Sequence, residues 1–221
     1  MKFTPRLALL ALTLALLAGR LLAAQPLPPS PVPITFGEEV SVGRRALLLG
    51  LCEYYLPRIG QALGSPLPEG PIRFTITEET SAPPGVTLGQ EITLSAPFMR
   101  RAPEDAGMIL HELTHAVQAY PGGTSPSWVV EGVADYVRDY LILPERARQL
   151  PLAQADYRKG YTHAAALLHH LIQTRHGGDA AALIHPLNAV CRSGADGEAW
   201  LRARYGDLDA LCAAAREAAA Q

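Results

Sequence analysis

The stretch GMILHELTHAVQAY, residues 107–120, places two histidines four positions apart, with a glutamate directly after the first. In a helix, residues four apart differ in direction by only about 40° and are separated by about 6 Å along the axis. Helical backbone here therefore sends His111 and His115 out together, with their imidazoles converging on one point. Leu110, Leu113, Val117 and Ala106 form an apolar stripe nearly opposite them. A helix so patterned packs by one side and points its histidines into a cleft. Glu112 lies beside the histidine face. In an H-E-x-x-H helix the imidazoles hold zinc, and the glutamate takes a proton from water at the metal.

Two histidines do not complete a catalytic zinc site, which takes three protein donors. The next helical pattern, SWVVEGVADYVRDY (127–140), offers Glu131, with fifteen residues between it and His115. The connecting AYPGGTSP (119–126) is rich in turn formers, so the chain can reverse and lay the second helix beside the first. The expected donor set is His111, His115 and Glu131. Asp135 follows Glu131 by one helical turn, where it could accept the other ring proton of either histidine and fix its tautomer. Gly132 would let the two helices approach closely. The strand pattern GQEITLS (89–95) precedes the motif, where metallopeptidases of this type place the edge strand for an extended substrate. The bland alternative is a surface helix with two solvated histidines. The apolar back of the helix, the E-x-x-x-D and the strand together argue against it.

The rest of the chain sets the frame. Its 221 residues suffice for one domain, and 48% hydrophobic with 18% charged residues is ordinary globular composition. A net charge of -2 provides no basic field for nucleic acid or an anionic membrane. Lys2 and Arg6 followed by the apolar run Leu7 to Ala18 read as a signal peptide over 1–24, too short an apolar run to span a bilayer. The expected location is secreted or periplasmic. QPLPPSPVP (25–33) is a proline-rich linker, and 34–221 is the folded domain, expected to be a monomer. Of the three cysteines, Cys191 and Cys212 are the candidate disulfide pair, with three buried thiols as the alternative.

Apolar spacing predicts a helix over 44–63, stopped near Gly64. PIRFTITEE (71–79) and VTLGQEITLSA (86–96) each alternate and are expected as two strands. From Pro103 onward only helical patterns occur, over about 103–120, 127–143 with Ser127 as N-cap, 159–176, 179–191, 196–205 and 207–219. The expected class is α+β and zincin-like, with a small N-terminal sheet, a helical C-terminal half and the active-site helix between them.

The segments QEITLSAPFM, HELTHAVQAY, VVEGVADYVRDY and YRKGYTHAAALLHHL also resemble, in order and spacing, the plant-type basic secretory protein family, which has bacterial members. The ending WLRARYGDLDALC is similar to that family's last segment, so the resemblance covers roughly residues 35–215. It implies a gluzincin-type zinc metallopeptidase with His111, His115 and Glu131 as ligands and Glu112 as general base. This chain departs from the family in not being basic, so no charge-dependent partner carries over.

The expected reaction is hydrolysis of a peptide or protein substrate by zinc-activated water. Tyr161 is the candidate donor to the developing oxyanion, with His163 as runner-up. Tyr54, Tyr55 and Trp128 are expected in the core, and His169, His170, His176 and His185 as solvated or hydrogen-bonded side chains. A different class also fits the pattern: a non-catalytic extracytoplasmic binding protein that keeps the zinc-site scaffold. The intact Glu112 argues for the enzyme. An exopeptidase ranks lower, since no G-x-M-E-N stretch is present to hold a substrate amine.

Overall fold

The structure, a computed structural model, describes residues 32–147 and 152–220. The expected signal peptide and most of the proline-rich linker lie outside these residues. Strand β1 (Ile34–Phe36) leads into the long helix α1 (Val42–Leu63), which returns the chain to β2 (Ile72–Thr77) beside β1 in parallel. Gly64 ends α1 in the left-handed region (φ 61°), its N–H and that of Ser65 closing on the carbonyls of Gln61 and Gly60. A Cβ there would also come within 2.5 Å of the His185 ring.

The expected second strand is in fact a hairpin, β3 (Gly85–Leu88) and β4 (Glu91–Ser95), turning at Gly89 with φ 62°. The sheet order is β1-β2-β4-β3, with β4 parallel to β2 and antiparallel to β3. GQEITLS is therefore largely interior strand, and the edge is β3. Ile72, Phe74, Ile92 and Leu94 fill one face of the sheet, fully buried, while Thr75 and Thr93 meet at 2.9 Å on the other.

Ser95 caps a short helix α2 (Ala96–Arg101), accepting from Phe98 N–H, and Asp105 caps α3 (Ala106–Gln118), accepting from Gly107 N–H. The helix expected from Pro103 thus starts three residues later, where a carboxylate is available to satisfy its free N–H groups. Helix α4 (Ser127–Tyr136) starts without a side-chain cap, and Pro126, not Ser127, occupies the cap position. The chain then widens into a π-helical turn over Val137–Ile142, with Leu143 N–H bonding Arg138 five residues back, before the short α5 (Pro144–Ala147). Helices α6 (Tyr161–Arg175), α7 (Ala181–Arg192), α8 (Gly197–Tyr205) and α9 (Leu208–Ala218) complete the fold. Gly132 meets Ala164 of α6, where an added Cβ would lie 2.8 Å from the alanine methyl. The close approach it allows is therefore between α4 and α6, not between α3 and α4.

Trp128 packs in the core and donates its indole N–H to Glu198 at 2.7 Å; Tyr55 is buried, but Tyr54 is exposed, under the Arg58 guanidinium. The expected cysteine pair does not form: Cys52, Cys191 and Cys212 are all free and buried. Cys191 packs against Ser125 and Gly197, whereas Cys212 sits on α9 near Tyr157. Among the described residues no helix is long and apolar enough to cross a membrane.

Candidate metal centre

Helix α3 is held on its apolar side by Leu110, Leu113 and Val117, nearly inaccessible to solvent. Burying three such side chains contributes roughly 1.5–3 kcal/mol each, enough to fix the rotation of a helix this short. His111 and Glu112, themselves buried, and His115 then face a cleft of about 370 Å³. Its walls include Pro83 to Thr87 of the edge strand and its approach, Phe98, Met108, Glu131, Arg138 and Tyr161.

The structure brings His111, His115 and Glu131 to one point. His111 Nε2 and His115 Nε2 are 3.0 Å apart, and Glu131 Oε2 lies 3.1 and 3.3 Å from them. The opposite ring nitrogens decide what these atoms are. His111 Nδ1 is 2.7 Å from Asp135 Oδ1, and His115 Nδ1 is 2.7 Å from Gln118 Oε1. Both partners accept, so each ring carries its proton on Nδ1 and turns the Nε2 lone pair inward. Three lone-pair-bearing atoms facing one another repel unless a cation lies between them. Without a metal ion, a proton on His111 fills that place. Burial works against a charged His111 ring, but its bonds to Asp135 and Glu131 outweigh this and lift its pKa to about 9. Burial likewise opposes the Glu131 charge, and the two histidines overcome it, drawing the carboxyl down to about 2. Such a group could hold a metal ion.

The supports of this cluster reach further than Asp135. Asp135 Oδ1 is also ion-paired with Arg138 Nη1, at 3.0 Å. Arg138 in turn grips both oxygens of Asp139, at 2.7 and 2.8 Å, and Arg146 joins Asp139 to Asp105 at the start of α3. The π-helical turn makes this possible, because its extra residue places Arg138 and Asp139 on the inside together. Gln118 ties the second histidine to the other helix by donating to the Val130 carbonyl at 3.0 Å. Gln118 follows His115 by three and Arg138 follows Asp135 by three, so helical spacing alone offered both.

Glu112 is held from across the cleft. Thr87 of β3 bonds its Oε2 at 2.7 Å and its carbonyl at 3.1 Å. Neither Thr87 nor Gly85 carries a sequence signal that links it to this helix. Tyr161 lines the cleft, its ring stacked on His111 with centroids 6.1 Å apart. It follows Gly160 and takes a left-handed φ of 45°, a conformation that costs a tyrosine energy and fixes where the ring goes. The nearby Glu131 charge, then burial, raise its phenol above the usual range. His163 turns away, its Nδ1 on the Gln154 carbonyl at 2.8 Å. Of the remaining histidines, His176 bonds Tyr205 and His185 bonds Gln61, while His169 lies in an aromatic stack with its Nδ1 unpartnered among the described residues.

Fold and cleft together define an α+β protein organised around a candidate metal centre. The family model described as BSP, peptidase of plants and bacteria, matches residues 77–212, a span that contains the hairpin and every residue of the cluster. The chain therefore belongs to the basic secretory protein family of peptidases. No curated protein matches it.

Proposed function

We propose that this chain is an exported, zincin-like zinc endopeptidase that hydrolyses internal peptide bonds in the cleft between α3 and β3. The observation that carries the reading is the convergence of three lone-pair donors with Glu112 beside them in the same cleft. The spacing admits a small divalent ion, and the donor chemistry favours zinc. At donor distances of about 2.0–2.1 Å, a tetrahedral ion has donor–donor edges of about 3.3–3.4 Å. The edges here are 3.0, 3.1 and 3.3 Å. Two imidazoles and one carboxylate are also a recurrent catalytic zinc set.

His111, His115 and Glu131 would hold the ion, and Asp135 and Gln118 keep the two rings in the tautomer that binding needs. Zinc bound there would act as a Lewis acid, making water more acidic and polarising the scissile carbonyl. Glu112 takes the proton of the attacking water on its carboxylate and later delivers it to the leaving amine. Tyr161 donates its phenolic hydrogen to the oxygen on which negative charge develops. The exposed edge of β3 borders the same cleft and suits an extended substrate backbone.

Cleavage of a diverse peptide library, read by mass spectrometry, tests the proposal with Glu112→Gln as control. Internal cuts are expected from the native chain, with a loss of roughly 10²–10⁴-fold in the variant while zinc is retained. His115→Ala is expected to lose the metal. Equal cleavage by native and Glu112→Gln chains would remove Glu112 from the chemistry and sink the reading.

A further inference from the structure

Glu112 does not hold its carboxylate in place from its own helix. Among the described residues its side chain has one hydrogen-bond partner, the Thr87 hydroxyl, contributed by the opposite wall of the cleft. A hydroxyl has a single hydrogen to give. The contact to Oε2 is the shorter of its two, 2.7 against 3.1 Å, and ends on the charged acceptor, so the hydrogen goes there. The bond fixes the direction of the carboxylate from the strand side.

The strand is shaped for this contact. Along β3, Gly85 and Thr87 face α3, whereas Val86 and Leu88 face outward and are exposed. Gly85 is not in the left-handed region; its need for a bare Cα is one of space. A Cβ at 85 would come within 2.6 Å of Glu112 Cγ, 2.7 Å of Oε1 and 2.9 Å of Cδ, closer than real side chains approach. The missing side chain at 85 and the hydroxyl at 87 thus enclose the Glu112 carboxylate from one side and fasten it on the other.

We infer that Thr87 is a positioning residue for the reaction. It fixes the carboxylate of Glu112 from the edge strand, in a slot that Gly85 keeps open. The inference rests on the proposed peptidase reading and adds a part of the machinery that comes from outside the H-E-x-x-H helix.

Thr87→Val preserves shape and removes the hydroxyl. It is expected to lower kcat for a cleaved peptide roughly ten- to a hundredfold, the usual loss for a hydrogen bond to a charged group. KM and bound zinc should stay as in the native chain, and Thr87→Ser should recover most of the rate. A purely structural threonine would not give this split or this rescue. Unchanged kcat in Thr87→Val, or a serine variant as slow as the valine one, overturns the role. The contact itself has a test that needs no activity. Thr87→Val should lower the Tm of the metal-free chain by about 2–4 °C more when Glu112 is present than in a Glu112→Ala background. Equal drops in both backgrounds overturn the contact. Should the native chain show no Glu112-dependent cleavage, the peptidase reading and the positioning role fall together. The Tm difference would then still decide whether Thr87 holds Glu112.

Discussion

A single backbone angle carries much of what is asked of Tyr161. Its φ of 45° is costly for any residue with a side chain, on the order of 1–3 kcal/mol, and is tolerated only where the surroundings impose it. Here it sets the ring against His111 at the mouth of the cleft, with half of its surface exposed. If the phenol serves the developing oxyanion, Tyr161→Phe keeps the ring and its stacking and removes only the donor. The expected result is a fall in kcat of about 10²–10³-fold with KM little changed. Steady-state kinetics on one peptide would check it. His163 makes the opposite point. Two residues further into the same helix, it suits the cleft equally well by residue type. Only the path of residues 154–163, which brings the Gln154 carbonyl to its ring, takes it away. No reading of spacing could have separated the two.

At the scale of elements, the helices were legible and their joints were not. The α3 stripe of Leu110, Leu113 and Val117 and the paired histidines follow from a period of 3.6, and so does Glu131 one helix later. The hairpin was missed because VTLGQEITLSA alternates on both sides of Gly89, and alternation alone does not show where a strand folds back. The π-helical turn was missed because it leaves the apolar pattern intact while adding a residue to one turn. That turn now supports a definite expectation. Asp139 within it and Asp135 just before it, on α4, are each about 1% exposed, and Arg138 is the cation between them. Arg138→Met keeps the bulk and takes one partner from each of two buried carboxylates, leaving His111 on Asp135 and Arg146 on Asp139. It should cost roughly 3–5 kcal/mol in the metal-free chain, measured by denaturant unfolding. A loss below 1 kcal/mol would mean that Arg146 alone satisfies Asp139 and that Asp135 needs only His111.

The whole molecule is held together without covalent crosslinks among the described residues. The three cysteines are buried and far from thiolate, with Cys52 pushed up to about 12 by burial first and then by the Glu53 charge. Reducing agent should therefore leave the Tm unchanged. Zinc should not: a ligand that binds only the folded chain stabilises it by about 2.7 kcal/mol at a hundredfold excess over Kd. For a chain of this size that raises the Tm on the order of 5–10 °C, reversed by a chelator and readable by calorimetry.

The two halves of the proposed site also differ in the elements that hold them. The three donors come from the packed helices α3 and α4. The grip on Glu112 instead depends on β3 staying on the outside of the sheet, its weakest place. A fluctuation that peels β3 from β4 would leave the donors gathered and Glu112 unfastened. How steadily the carboxylate faces the donors is thus set by how firmly an edge strand is held.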